Sequence, residues 1–275
     1  PHKARHISRE ITQLTSTIAQ LKNQIKQILF NTFNGLEYHC NVTSIKMLKL
    51  LTLIPSAHVA SSLSTSQIQS RINQTFAGKG KNPDITPEIL KNIASSHFSI
   101  NDPVKDQILI SKISILLTLI QQVKTLKTSL IHMVKSSNPT HFSIINSIKG
   151  IGDYETAAFI SEINSINNFP SYKKIIAYAG IDPVPKDSGK FKGKRHISKK
   201  GNKYLRKLIF LMATNAAHYS HPFEYFYSLK RSQGNSHKKA VIATAHKLIR
   251  VIFAMVNNNL LFSETALCMD SHIPF

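Results

Sequence analysis

The chain has 275 residues, with 35 Lys and Arg against 14 Asp and Glu, so its net charge is +21 with neutral histidines and its pI is near 10.0. This positive charge is spread along the chain and favours nucleic acid as the partner over an acidic membrane surface, because each neutralised phosphate releases condensed counterions. No run of eighteen apolar residues exists, so no membrane span is expected. Cys40 and Cys268 lie far apart without ligand-like neighbours, which favours a reducing cytoplasm over a disulfide framework or a zinc site.

Two long segments predict amphipathic helices. Residues 7–33 carry apolar side chains at alternating spacings of four and three residues, which is typical of a coiled-coil seam: Ile7, Ile11, Leu14, Ile18, Leu21, Ile25 and Ile28. A similar pattern, interrupted by Lys127, runs through Leu109, Ile113, Leu116, Ile120, Val123, Leu130 and Val134. The two helices predict an antiparallel hairpin or a dimer stalk, and two core helices of an ordinary bundle are the alternative.

The domain organisation follows from changes in composition. Residues 34–103 predict short helices and loops, and a second domain is expected to start at Asn138-Pro139. The predicted organisation is a coiled-coil and helical region over 1–137, a second domain over 138–262 and a tail over 263–275. Strand-like alternation is scarce, so the fold class is predicted to be mainly α. The chain starts with Pro1 and no signal-peptide pattern follows, so a fragment or a processed product is expected.

A glycine-rich turn predicts a helix-hairpin-helix motif over residues 148–163. The first helix is expected to end at Gly150, Ile151 to plug the hairpin, and Gly152 to lead into a helix near Asp153. Two glycines let the backbone approach a phosphate, and a helix N-terminus offers free N–H groups to it. Such a contact positions DNA without reading its sequence. A purely structural turn between two helices is the alternative.

Residues 186–207 hold ten Lys and Arg with a single acid, Asp187. So many cations would lack partners in a core, so the segment predicts an exposed basic loop that runs into a helix beginning near Asn202. Its candidate DNA-binding residues are Lys190, Lys192, Lys194, Arg195, Lys199, Lys200, Asn202 and Arg206.

Ser188 lies at the head of this basic segment. From its neighbours alone it is either a nucleophile or, more commonly, an ordinary turn residue. A nucleophilic serine needs a base and a stabilised oxyanion. The lysines can neutralise a phosphate, but no His-Asp pair with obvious spacing supplies a base. The histidines show no ligand spacing, so no metal site is expected.

Taken together, a set of short motifs resembles the C-terminal domain of the Piv/MooV-type (DEDD) transposases of bacterial insertion sequences over about residues 140–256. The motifs are Gly150-Ile-Gly152, Thr156-Ala-Ala158, Glu162-Ile163, Phe169-Pro170, Tyr178-Ala-Gly-Ile181, Pro183, Ser188-Gly189, Ile197-Ser-Lys-Lys-Gly-Asn202, Leu205-Arg206, Lys239-Ala240, Ala243 and His246-Lys-Leu248. Residues 7–134 resemble the coiled-coil segment of that family more loosely.

The resemblance implies a chemistry. Ser188 would correspond to the serine that attacks a DNA phosphodiester, and a bridge RNA would guide at least some members. An N-terminal RNase H-like domain in that family carries an Asp-Glu-Asp-Asp quartet for Mg²⁺. Nothing before the helix at 5–28 resembles that domain, and the acids here are scattered. A truncated transposase is therefore expected, with no cofactor in this chain and Mg²⁺ only with the missing domain.

The expected function is DNA transposition through serine-mediated strand cleavage and rejoining, with little activity from this chain alone. The expected partners are double-stranded DNA, a structured guide RNA and a second copy of the chain through the coiled coil, with no membrane. The expected location is the bacterial cytoplasm, on the chromosome. The alternatives are an inactive nucleic-acid-binding remnant and a structure-specific DNA repair accessory.

Overall fold

The structure is a computed structural model that describes residues 2–78, 80–96, 101–184, 187–188, 191–192 and 196–264. Only the backbone is described at His2, Ser96, Asp187, Ser188, Phe191 and Lys192. The fold is 76% helical, which confirms the prediction of a mainly α protein. The helices are α1 (His2–Thr32), α2 (Ile45–Leu53), α3 (Ala57–Ser62), α4 (Thr65–Phe76), α5 (Pro87–Ser96), α6 (Pro103–Ser137), α7 (Pro139–Asn146), α8 (Asp153–Ile163), α9 (Tyr172–Ala179), α10 (Lys203–Tyr219), α11 (His221–Ser232) and α12 (His237–Asn257).

Four two-residue strands occur among the described residues, all between α9 and α10. β1 (Pro183–Val184) pairs antiparallel with β4 (His196–Ile197), and β2 (Asp187–Ser188) pairs antiparallel with β3 (Phe191–Lys192). The second pair is nested within the first along the chain. The basic segment therefore contains paired backbone where the sequence predicted an irregular loop.

The chain divides into two compact units. The central unit is Gln13–Thr125, and the terminal unit combines Pro1–Thr12 with Leu126–Phe275. Compactness alone does not define a domain, so the boundaries expected after residues 137 and 262 stay predictions.

The central unit is built from short helices whose starts are fixed by serine caps. The hydroxyls of Ser44 and Ser56 accept from the N–H groups at the third residues of α2 and α3. Ser64 and Gln67 form a reciprocal capping box at α4. Each such cap is worth about 1 kcal/mol. The helices enclose a core of fully buried apolar side chains that includes Leu48, Ile68 and Leu90.

The predicted heptad seams also contribute to the core of the central unit. Ile25 from the first seam is buried there, with Leu109 and Ile113 from the second. Ile18 and Leu21 pack against the same core and are partly buried. These contacts lie within one chain. A coiled coil between two chains stays a prediction.

In the terminal unit, α8 lies at the centre. Every residue from Thr156 to Ile163 is buried, and a helix that is covered on all sides must be surrounded by other elements. α7 and α10 contact α8, and α12 packs on α9, α10 and α11. The buried faces of the last helices are aliphatic, with Leu205 and Ile209 on α10 and Leu248 and Ile252 on α12.

By length and composition, α6 and α12 could each cross a membrane. The apolar stretch of α12 is 56% buried inside the fold, as in a core helix of a soluble protein, whereas that of α6 is 17% buried. Core helices pass the same test of length and composition, so two such helices are weak evidence for a membrane span.

Candidate nucleic-acid interface

The basic segment is anchored where it leaves and rejoins the terminal unit. The Ser198 N–H donates to the carbonyl of Asp182 at 2.9 Å, and the Ser198 hydroxyl donates to the Asp182 carboxylate at 2.5 Å. Next to them, the Lys199 N–H donates to the Gly180 carbonyl at 3.0 Å. With the β1–β4 pair, these bonds join the two ends of the excursion that carries Ser188. The segment therefore has a fixed base.

Gly180 lets the two ends approach each other. It closes α9 with a φ of 67°, and a Cβ there would lie 2.6 Å from the Lys200 carbonyl oxygen and 2.9 Å from Nη1 of Arg206. Any side chain at this position would push the start of α10 away from the end of α9. The glycine is thus required both for its left-handed backbone and for the contact.

Two of the predicted DNA-binding residues hold the start of α10. The side-chain oxygen of Asn202 accepts from the N–H groups of Tyr204 and Leu205, which makes Asn202 the N-cap and agrees with the predicted helix start. Its amide nitrogen donates to a carboxylate oxygen of Glu162 at 2.6 Å. Nη1 of Arg206 donates to the Ala179 carbonyl at 3.0 Å. Both side chains therefore position α10, and their contact with DNA stays a prediction.

Glu162 is the buried charge of this region. Its side chain is 1% exposed, and its two oxygens accept from Nε and Nη2 of Arg9, each at 3.0 Å. The Arg9 guanidinium also lies 4.8 Å from the Tyr204 ring centroid. Its hydrogen bond to Glu162 raises the pKa of Arg9 above its usual value. The pair joins α1, α8 and the beginning of α10.

Ser188 lies on the inner strand pair of the basic segment. In the register of this pair, Ser188 faces Phe191 and Asp187 faces Lys192. Only the backbone of Ser188 and Lys192 is described. The predicted contacts Lys190, Lys194 and Arg195 lie outside the described residues. Lys199 and Lys200 are described and exposed, so both are accessible to a phosphate.

The glycine-rich turn connects α7 to α8. α8 begins at Asp153, as predicted, whereas α7 ends at Asn146, four residues before the predicted end at Gly150. Ile151 is buried, and its N–H donates to the Ile148 carbonyl at 3.1 Å. The role of Ile151 in a helix-hairpin-helix motif stays a prediction.

The surroundings of the two glycines do not favour a phosphate. A Cβ at Gly150 would lie 2.7 Å from the Asn215 carbonyl oxygen, so the missing side chain admits the backbone of α10. A Cβ at Gly152 would lie 2.9 Å from a carboxylate oxygen of Glu155. Asp153 and Glu155 both stand in the first turn of α8, where they complement the helix dipole and repel an anion. Phosphate binding by Gly150, Ile151 and Gly152 stays a prediction, and the negative charge of Asp153 and Glu155 opposes it.

A cavity of about 500 Å³ opens between α9, α11 and α12. It is lined on one side by Asp182 and Pro183, which belong to the base of the basic segment. The cationic side chains around it are Lys173, Lys230, Lys247 and Arg250. Sequence inspection missed this group, because its members come from three helices and only Lys247 and Arg250 are spaced to share a helix face.

His246 joins this cavity to the basic segment. Its Nε2 lies 2.9 Å from the Ile181 carbonyl, and because a carbonyl only accepts, Nε2 carries the proton. Burial lowers the pKa of His246, so the ring is neutral at pH 7. The ring fixes the residue that precedes Asp182. His246, a residue of α12, thereby positions the base of the basic segment.

The described residues do not fit a divalent metal. Within them, no three His, Cys, Asp or Glu side chains come together as a ligand group. Glu162, the buried carboxylate nearest α10, is already bonded to Arg9 and Asn202. Burial raises the pKa of the Cys40 thiol to about 11, which disfavours the thiolate form.

The region that contains Ser188, α8 and α10 is similar in sequence to known proteins. Residues 142–228 match the family model described as "Transposase IS116/IS110/IS902 family". The chain is 30% identical over 120 residues to the insertion element IS116 44.8 kDa protein of Streptomyces clavuligerus, which covers 44% of this chain and 30% of that protein. It is 26% identical over 121 residues to the insertion element IS110 43.6 kDa protein of Streptomyces coelicolor, covering 44% and 30%.

The pilin gene-inverting protein of Moraxella bovis is 27% identical over 124 residues, covering 44% of this chain and 38% of that protein. The matching region thus spans about a third of the length of these relatives. Residues 142–228 are therefore similar to the transposase domain of the IS110/IS116 family. Ser188, α8 and α10 fall within it.

Proposed function

We propose that this chain acts in DNA transposition as part of a Piv/MooV-type (DEDD) transposase, and that Ser188 cleaves and rejoins a DNA strand. The observation that carries the proposal is the transposase-domain match over 142–228, which contains Ser188 and both anchored ends of its segment. Insertion-element proteins and a protein named for pilin gene inversion are among the relatives, which supports a recombination reaction on DNA.

The proposed reaction is a transesterification. The Ser188 hydroxyl oxygen attacks the phosphorus of a phosphodiester, one phosphorus–oxygen ester bond forms, and one breaks. The serine proton is lost, and the leaving sugar oxygen takes up a proton to become a hydroxyl. Attack on the phosphoserine by another strand's hydroxyl reverses these changes and frees the serine. The number of phosphate ester bonds is conserved, so rejoining needs no external energy source.

Cations near Ser188 would offset the charge that develops on the phosphate. Lys199 and Lys200 are exposed beside the anchored base and are suited to this role. Lys190, Lys192, Lys194 and Arg195 are proposed to assist, as the sequence predicts. The Mg²⁺ of the family is proposed to require an RNase H-like domain from another polypeptide segment, since the described carboxylates do not form a site for it.

The proposed partners are duplex DNA, a structured guide RNA and a second copy of the chain, and the proposed location is the bacterial chromosome. Positive charge supports the nucleic-acid partners, because the chain carries +21. The helix-hairpin-helix turn is proposed as an auxiliary phosphate contact.

The test is a covalent DNA adduct. The chain is mixed with supercoiled plasmid, Mg²⁺ and the N-terminal domain of a Piv/MooV-type transposase, and protein–DNA links are sought after denaturation. The wild type should form a phosphoserine link at Ser188. Ser188→Ala should form none while binding DNA as before, since one hydroxyl adds little to a charge-dominated interface. Ser143→Ala, at an exposed serine of α7, is the matched control and should retain the adduct.

Two outcomes would decide against parts of the proposal. An adduct that persists in Ser188→Ala would remove Ser188 as the nucleophile. DNA binding without an adduct under all these conditions would instead favour the nucleic-acid-binding remnant. The chain without the added domain is expected to bind DNA and leave it uncut.

A further inference from the structure

We infer that the cavity between α9, α11 and α12 binds one backbone phosphate of the DNA strand that reaches Ser188. The inference rests on the proposed function and adds a site to it, away from the serine and the glycine-rich turn. Its evidence is the charge of the lining, the way two ammonium groups are held there, and the connection of the cavity to the basic segment.

The lining of the cavity is strongly cationic. Lys173 on α9 is exposed, and Lys230, Lys247 and Arg250 are half-buried. Asp182 is the single carboxylate among the described lining residues, and one of its oxygens already accepts from Ser198. Cations that converge on one concave surface repel each other, and an anion bound among them relieves that repulsion.

Phe226 contacts two of the cations, and the Lys230 ammonium also donates to the Gln233 side-chain oxygen at 3.1 Å. The ammonium groups of Lys230 and Lys247 lie 5.3 Å and 4.8 Å from the centroid of its ring. A lysine side chain loses considerable entropy when it is fixed, and the aromatic ring offsets part of that loss by a cation–π contact. Part of the entropy cost of fixing each lysine is thus met before a ligand arrives, which favours anion binding at this cavity.

The position of the cavity near Ser188 along the chain favours a phosphate of the same DNA strand. Pro183 lines it, starts β1, and precedes Ser188 by five residues. Five residues span at most about 17 Å, and strand phosphates rise by about 3.4 Å per nucleotide along a duplex. The bound phosphate should therefore lie within about five nucleotides of the one that Ser188 attacks. A DNA strand held at both points would be oriented along the base of the segment.

The first experiment compares two double variants in the salt dependence of binding to a 30-base-pair duplex. Lys230→Gln/Lys247→Gln removes two cavity lysines that lie over Phe226. Lys127→Gln/Lys135→Gln is the matched control, because these α6 lysines lie over Tyr154 and Phe142 at 4.4 Å and 5.6 Å. Each variant removes two positive charges and two cation–π contacts from the terminal unit.

The cavity variant should lower the slope of log affinity against log salt by about one, the share of one phosphate. The control should keep the wild-type slope. Equal slopes in the two variants would overturn the inference, and so would a cavity variant with the wild-type slope. A lowered slope on duplex RNA of the same length, but not on DNA, would also overturn it. If inorganic phosphate binds at the cavity but the cavity variant binds DNA like the wild type, the cavity is a site for small anions only. That result would also overturn the inference.

The second experiment locates the phosphate. DNA with one uncharged methylphosphonate is scanned across five nucleotides on each side of the Ser188 linkage site, and adduct formation is measured. At one position the methylphosphonate should slow adduct formation by the wild type about five- to tenfold. At the same position it should not slow adduct formation by the Lys230→Gln/Lys247→Gln variant. If every position acts alike in both proteins, the inference fails while the serine chemistry stands. If no adduct forms at all, the proposed function fails, and the salt comparison still decides about the cavity.

Discussion

Arg9 and Glu162 are 153 residues apart in the chain and form a two-point ion pair with both contacts at 3.0 Å. The two side chains differ in burial, since Arg9 is 38% exposed and Glu162 is 1% exposed. Glu162 thus depends on the protein for its neutralisation, whereas the guanidinium still reaches water. The pair also determines where the first turns of α1 lie against α8, with Arg5 donating to the Ser161 and Glu162 carbonyls.

We therefore predict that Arg9→Ala destabilises the chain more than Glu162→Gln does. Removal of Arg9 leaves a buried carboxylate with Asn202 as its remaining hydrogen-bond donor, which should cost about 3 kcal/mol in the free energy of unfolding. Glu162→Gln leaves a cation that water can solvate and should cost about 1–2 kcal/mol. Urea unfolding of the two variants measures both.

The double variant Arg9→Ala/Glu162→Gln is the control for this prediction. It should be more stable than Arg9→Ala alone, because the uncompensated buried charge is gone. Losses that simply add, or a larger loss for Glu162→Gln, would mean that the ion pair does not govern the stability of this region.

The region around this ion pair shows which structural features could be predicted from the sequence. The helix starts at Asp153 and after Asn202 were predictable, because glycine and asparagine are local signals that act within a few residues. Glu162 carried a usable signal because it follows the apolar run from Ala157 to Ile160, and an acid on a buried face requires a cation. The identity of that cation was not predictable, since Arg9 is brought to it by tertiary packing alone. The cavity lysines were missed for the same reason, because three helices contribute them.

Gly150 supplies a second prediction. Its φ is 88°, and a Cβ would meet the backbone of α10 at Asn215. Gly150→Ala should therefore lower the free energy of unfolding by about 1–3 kcal/mol, because the turn and α10 must separate. Gly234→Ala is the matched control, with a φ of 81° and nothing within 4 Å of a Cβ. It isolates the cost of the backbone angle, about 1 kcal/mol.

Urea unfolding compares the stability of the two glycine variants. DNA binding tests whether Gly150 serves the contact with α10 or a contact with phosphate. Equal losses of stability in the two variants would show that contact with α10 is unimportant. A stable Gly150→Ala protein with weakened DNA binding would instead support the predicted phosphate contact of the helix-hairpin-helix turn.

Asp106 in the central unit gives a prediction about pH. Burial raises the pKa of its carboxyl above the ordinary value of 3.8, with repulsion from Asp102 in the same direction and the Ser56 hydrogen bond and His58 opposed. One carboxylate oxygen accepts from Ser56 at 2.9 Å, and the other is buried without a hydrogen-bond partner. The folded state therefore holds the proton more tightly than the unfolded state does.

Because the pKa of Asp106 is raised in the folded state, its protonation stabilises the fold. This contribution to the free energy of unfolding is complete below about pH 3.8 and is lost as the pH rises through the folded pKa. Asp106→Asn does not ionise, so its thermal midpoint should exceed that of the wild type at pH 7 and approach it near pH 4. Asp84→Asn removes an exposed acid of the same unit and should not show this pH-dependent difference. A midpoint for Asp106→Asn below the wild type at pH 7 would contradict the assignment.

The last prediction concerns self-association. Leu14, Ile18 and Leu21 of the α1 seam are only partly buried within one chain, so apolar surface remains along the middle of this helix. We expect a second chain to cover it, because a heptad seam packs most completely against another helix. Leu14→Lys/Leu21→Lys should then convert the dominant species from an oligomer to a monomer in sedimentation at micromolar concentration. Ile45→Lys is a control at an exposed apolar residue outside the seam, 51% exposed, and should leave the assembly unchanged. A wild-type chain that already sediments as a monomer would mean that the seam serves internal packing alone.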